Sequence, residues 1–154
     1  MGKVEQEFQK CLAEGRIAVF NEGPALAGRQ LIIAAEDLEE AKGGLERNQW
    51  KWSTIQAYYS MFHTARALLY ARSFREKHHR CLRIAISYLY ELEGETFNRL
   101  VGDFQLAKQL RENADYAEDF SENGARKLVI SAERFLEVAK EIHGRPGGIK
   151  SQQK

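Results

Sequence analysis

Little in this sequence interrupts a helix, and little in it advertises bound metal or cofactor. Two prolines occur in 154 residues, Pro24 and Pro146, and both fall where a helix is expected to begin or end. The two cysteines, Cys11 and Cys81, are far apart and outside any C-x-x-C pattern, which argues against a disulfide scaffold and against a cysteine zinc site. Charge of one sign is not in excess: 23 Lys plus Arg against 22 Asp plus Glu leave +1, so a nucleic-acid surface would have to be a local patch rather than bulk charge. No apolar run is long enough to cross a bilayer, and the N-terminal stretch MGKVEQEFQKCLAEG has no signal-peptide core, so a soluble, cytoplasmic protein is expected. Gly43-Gly44 follows a helical pattern and precedes no Lys-Ser/Thr, so it is not a phosphate loop. His63, His78, His79 and His143 form no H-x-x-x-H pair, and adjacent helical residues point about 100° apart; neither metal nor cofactor is expected.

What is present reads as helix throughout. A hydrophobic share of 44 % with 29 % charged residues is enough apolar surface for one buried core. Val4 to Phe20 reads as an N-terminal helix with Phe8, Leu12 and Phe20 on its apolar side. After a break at Asn21–Pro24, the residues Leu31, Ala34, Leu38, Ala41 and Leu45 recur at steps of three and four. Ser53-Thr54-Ile55-Gln56 has the form of a capping box. The helix it would open carries two adjacent stripes, Ile55, Tyr58, Phe62, Ala65, Leu69 and Tyr59, His63, Arg66, Tyr70, which marks it as the central helix of a bundle. Arg72 to Lys77 reads as a polar connection, His78 to Leu92 as a further helix, and Thr96 as the cap of a shorter one through Leu110. Asn113 to Phe120 has no clean period. Ser121 caps the last helix, with Ala125, Leu128, Ala132, Phe135, Ala139 and Ile142 inward. No alternating strand pattern occurs. The expected fold is an all-α, compact bundle of about five helices: residues 1–23 an N-terminal helical extension, 24–143 the bundle and 144–154 a disordered tail.

Three groups of side chains could carry chemistry. Tyr59, His63, Arg66 and Tyr70 are either a packed helix surface or an aromatic and cationic lining for a nucleotide or RNA base. The run Arg72-Ser73-Phe74-Arg75-Glu76-Lys77-His78-His79-Arg80 is either a solvated loop or a local phosphate-binding wall. In Arg111-Glu112-Asn113-Ala114-Asp115-Tyr116, Arg111 and Asp115 are four apart. They form either a plain intrahelical pair or part of a site in which Arg111 binds phosphate.

The block Lys51-Trp52-Ser53-Thr54-Ile55-Gln56-Ala57-Tyr58-Tyr59-Ser60-Met61-Phe62-His63-Thr64-Ala65-Arg66-Ala67-Leu68-Leu69-Tyr70 resembles the central helix of HEPN domains, the higher eukaryotes and prokaryotes nucleotide-binding family. The Lys77-His78 entry, the Arg111 to Tyr116 segment and the final helix fall where that family would place them, so the resemblance runs from about Pro24 to Ile142. It implies a helical bundle that pairs as a homodimer, often encoded beside a small nucleotidyltransferase as a toxin–antitoxin pair. In catalytic members an Arg followed by four to six residues and a His cleaves RNA without metal. There the Arg stabilises the phosphorane and the His moves protons, and a nearby Tyr can receive a nucleotide from the partner. Here the matching segment keeps Arg111 and Tyr116 but has Asp115 and no His, and Arg72 with His78 fits the spacing only earlier in the chain. The expectation is therefore a protein that binds a nucleotide or RNA phosphate and acts with a nucleotidyltransferase. Arg111, Asn113 and Tyr116 would hold the ligand, with Arg72, Lys77, Tyr59, His63 and Arg66 around them. The alternatives are a metal-independent ribonuclease toxin using Arg111, Asp115 and His78, and a non-catalytic structural dimer or adaptor.

Overall fold

A computed structural model of the chain describes residues 2–145. Most of the expected tail, 144–154, lies outside the described residues. The element order is α1 (Lys3–Ala13), β1 (Ile17–Val19), α2 (Gly23–Glu46), α3 (Trp50–Tyr70), β2 (Phe74–Glu76), α4 (His79–Leu89), a short 3₁₀ turn (Glu91–Glu93), α5 (Glu95–Tyr116) and α6 (Glu122–His143). The fold is an all-α bundle, as the apolar periodicity implies. α3 lies at its centre, packed against α2, α4, α5 and α6.

Small residues let α2 and α3 approach closely. Ala34, Ala41 and Gly44 of α2 are buried, as are Ala57, Ser60 and Thr64 of α3. The hydroxyls enclosed by this contact are satisfied: Ser53 donates to the Ala41 carbonyl at 2.7 Å, Ser60 to that of Ala34 at 2.8 Å, and Thr64 to that of Ser60 at 2.8 Å. This corrects the capping box at Ser53. The helix begins three residues earlier, at Trp50, because the buried hydroxyl of Ser53 is used by the neighbouring helix. Gly23 sits against the end of α3, where a Cβ would lie 2.4 Å from the Tyr70 carbonyl oxygen.

The N-terminal region departs further from the sequence reading. α1 ends at Ala13, and Gly15 turns the chain with φ +72°. Ile17–Val19 then forms a strand, antiparallel to Phe74–Glu76, with Ile17 opposite Glu76. Phe20 packs edge-on against Tyr70 instead of lying on α1. The segment read as a polar connection is thus half of a small sheet, and its partner strand is too short to carry a visible alternation. Cys11 and Cys81, read as lone thiols, form a disulfide with Cα atoms 5.9 Å apart that ties α1 to α4. A sequence separation of 70 hides the pairing. Phe8, Cys11 and Ile17 belong to the same buried cluster as the bundle's core.

At the other end of the bundle, α4 stops at Leu89 and the chain continues as the 3₁₀ turn. α5 starts at Glu95 and runs unbroken to Tyr116, so Asn113 to Tyr116 is helical and only the residues after it are irregular. Ser121 caps α6, accepting from the Gly124 amide at 2.9 Å, as its sequence position implies.

Candidate functional site

The unbroken course of α5 decides where Arg111 goes. Its ridge faces α3, and Arg111 reaches across to the pair of tyrosines in the middle of that helix. One guanidinium nitrogen donates to the Tyr59 hydroxyl at 2.9 Å. The guanidinium carbon lies 5.6 Å from the Tyr58 ring, 5.4 Å from that of Tyr59 and 5.8 Å from that of Tyr116. Asp115, one turn on, approaches to 3.7 Å. The Arg111 Nε is buried without a hydrogen-bond partner. Burial works against the charge of Arg111, but Tyr59, Tyr116, Asp115 and Tyr58 together hold its pKa above the ordinary value. Tyr116 is 75 % exposed, so one of the rings beside the cation is open to solvent.

Beneath this group, buried Tyr58 meets His79 at the start of α4, its hydroxyl 3.1 Å from the His79 Nδ1. The two rings stack at 5.9 Å, and Phe104 lies 4.8 Å from the imidazole on another side. The His79 Nε2 is buried and has no partner. Desolvation by burial, reinforced by Lys108 and Arg83, lowers the His79 pKa to about 4, and desolvation raises that of Tyr58 to about 12. Both groups are therefore neutral near pH 7. On the same stretch of α5, Lys108 donates to Glu112 at 2.6 Å, and that hydrogen bond holds the Glu112 carboxyl below its usual range.

The structure brings together Arg111, Asp115, Tyr59 and Tyr116 from the sequence-derived set, and sends the others elsewhere. Asn113 points about 200° away from Arg111 around the helix and lines a shallow hollow with Thr54, Leu110 and Phe120. His78 is the exposed residue preceding α4, and Lys77 is exposed beside it. Arg72 donates to the Leu89 carbonyl at 2.8 Å and lies over the Tyr90 ring. Arg66 is ion-paired with Glu76 of β2 and covers the Phe62 ring at 4.4 Å. His63 turns to α2, with Nδ1 2.8 Å from the Gln30 amide oxygen and Nε2 3.9 Å from Asp37. Within the basic run, Arg72 is thus engaged by the scaffold, while Arg75, Lys77, His78 and Arg80 are exposed.

Sequence reasoning missed Tyr58 and His79. Tyr58 was hidden in the apolar stripe of α3. His79, rather than His78, sits three residues before Leu82 and seven before Ile86, in register with the buried face of α4, and that spacing was the available signal. Among the described residues no group of three or more His, Cys, Asp or Glu side chains could hold a metal ion. A hollow of about 550 Å³ lies between α2 and α6 around Gly28, Leu31, Ile32 and Ala35. It is apolar and contains none of the residues above.

A family profile described as HEPN domain matches residues 29–142. A protein of Methanocaldococcus jannaschii named "Putative toxin MJ0605" is 30 % identical over 112 residues, covering 70 % of this chain and 81 % of that protein. No helix among the described residues is long and apolar enough to cross a membrane.

Proposed function

The chain belongs to the HEPN domain family, and from that premise we propose that it is a toxin-type member that holds a nucleotide or an RNA phosphate at Arg111 and acts with a small nucleotidyltransferase. One observation carries the reading: the Arg111 guanidinium stands beside three tyrosine rings, one of them exposed, with a donor nitrogen left unpaired. Aromatic faces with an arginine are the combination that takes a base by stacking and a phosphate by charge-assisted hydrogen bonds. In this reading residues 24–143 are the HEPN unit, residues 1–23 an extension strapped to it, and the working form a cytoplasmic homodimer. The similarity to a protein named as a toxin supports the toxin–antitoxin setting.

Binding is favoured over acid–base catalysis because of the state of the imidazole behind Tyr58. The histidine nearest to it through Tyr58 is held neutral, and efficient proton transfer wants a pKa near the working pH. The test is equilibrium binding of adenosine monophosphate and of short single-stranded RNA in excess EDTA. Arg111→Ala is expected to weaken both by roughly ten- to a hundredfold, the scale of a lost hydrogen bond to a charged group. Lys140→Ala, on the far groove, is the control that should bind as wild type. Equal binding by Arg111→Ala and wild type would sink the reading. The partnership is tested separately, by co-purification with a nucleotidyltransferase encoded beside the gene.

A ribonuclease remains the second reading, favoured by the link that Tyr58 makes between Arg111 and His79. It requires EDTA-resistant cleavage of end-labelled RNA that both Arg111→Ala and His79→Ala abolish.

A further inference from the structure

The exposed side of α3 does not stop at Tyr59. Trp52, Gln56 and Tyr59 are spaced by four and three residues, so they stand in one row along the helix. Buried Ser53, Thr54, Ile55 and Ala57 fill the rest of that stretch. Trp52 is 54 % exposed, although tryptophan is highly buried on average. Its neighbour Lys51 places its ammonium 5.2 Å from the indole ring, and Lys51 forms no ion pair among the described residues. This repeats, two turns away, the pairing of Arg111 with Tyr59: an aromatic face with a cation against it, on the same side of the same helix. α5 runs alongside in the opposite sense, because Thr54 and Asn113 line one hollow while Tyr59 meets Arg111. The exposed ring of Tyr116 therefore lies on the Trp52 side of Arg111.

We propose that Lys51 and Trp52 form a second stacking subsite, so that the surface takes a single-stranded oligonucleotide running from Arg111 along α3 to Trp52. The inference rests on the phosphate-binding reading of Arg111 and extends it from a mononucleotide to a strand. Seven helical residues rise about 10 Å, which is roughly three steps of a stacked strand at about 3.4 Å each. A tetranucleotide spans both subsites; a mononucleotide reaches only one. Stacking on aromatic rings with flanking cations is tolerant of sequence, and the phosphates between the two ends meet Lys51 and Arg111.

The experiment compares adenosine monophosphate with tetra-adenylate in excess EDTA, by calorimetry and by tryptophan fluorescence. The two tryptophans are Trp50 and Trp52, so Trp50→Phe leaves Trp52 as the sole reporter. The tetranucleotide is expected to bind about tenfold or more tighter than the monophosphate and to quench Trp52, which the monophosphate does not. Trp52→Ala should remove that length advantage and leave monophosphate affinity unchanged, while Trp52→Phe keeps most of it. Because Trp52 is half exposed, the substitution is compatible with folding, and unchanged monophosphate binding reports that directly. Equal affinities for the two ligands in the wild type, or full tetranucleotide affinity in Trp52→Ala, would overturn the second subsite while leaving Arg111 as a phosphate site. Failure of the wild type to bind either ligand would overturn both.

Discussion

His79 combines a stacked, buried ring with a single hydrogen-bond partner and an Nε2 that meets none, and the consequence is a pH dependence of known sign. Burial lowers its pKa from 6.5 to about 4. Between those values the unfolded chain binds a proton at this position and the folded chain does not, so folding stability rises with pH through that window and falls as pH drops from about 6.5 to about 4. His79→Gln should flatten this part of the stability curve, measured by urea unfolding at pH 4.5, 5.5 and 7. An unchanged slope would mean that the imidazole is not enclosed as described. The same residue shows why the candidate site was only partly legible. Arg111, Asp115, Tyr59 and Tyr116 stood out as polar or aromatic residues at helical spacing. Tyr58 looked like core, and it is core: its ring is buried while its hydroxyl and one face serve His79 and Arg111. A residue with two roles on two sides cannot be resolved by a periodicity that records only one.

Among the elements, α1 and the β1–β2 pair depend most on tertiary contact. α1 is eleven residues long, too short to be stable alone in water. It is held by Phe8 against Phe74 and Tyr88, and by the Cys11–Cys81 bridge. A bridge closing about 70 residues contributes about 4 kcal/mol in the loop-entropy account. Cys11→Ser should therefore lower the stability of oxidised protein by up to that amount in urea, and added reductant should bring wild type to the level of the variant. A difference below about 1 kcal/mol would mean the bridge contributes little. Such bridges persist in oxidising surroundings, so counting free thiols in protein unfolded without reductant bears directly on the expected cytoplasmic location. The elements that were legible, α2 and α6, carry long three-and-four spacings and clear signals at their ends, Pro24 and Ser121. The two strands were not, since three residues paired with three others 55 or more positions away leave no local pattern.

At the scale of the whole molecule, one buried cluster includes Phe8, Cys11 and Ile17 together with Phe104, Phe135 and Leu136. Unfolding should therefore be a single cooperative transition, with far-ultraviolet circular dichroism and tryptophan fluorescence coinciding in oxidised protein. Two separated transitions would show that the N-terminal region unfolds independently. The sequence by itself determined the helical class and the central rank of α3, because burial of an apolar stripe imposes a period that survives in one dimension. The resemblance to the family, carried by the Lys51–Tyr70 block, also drew attention to Arg111 in its matching segment. Tertiary structure decided what that arginine meets. It turned Tyr59 toward Arg111 and His63 toward Gln30, spent Arg66 and Arg72 on the scaffold, chose His79 over His78, and joined Cys11 to Cys81. Those outcomes depend on directions and distances between elements remote in sequence, and the backbone fixes them only once the helices have packed.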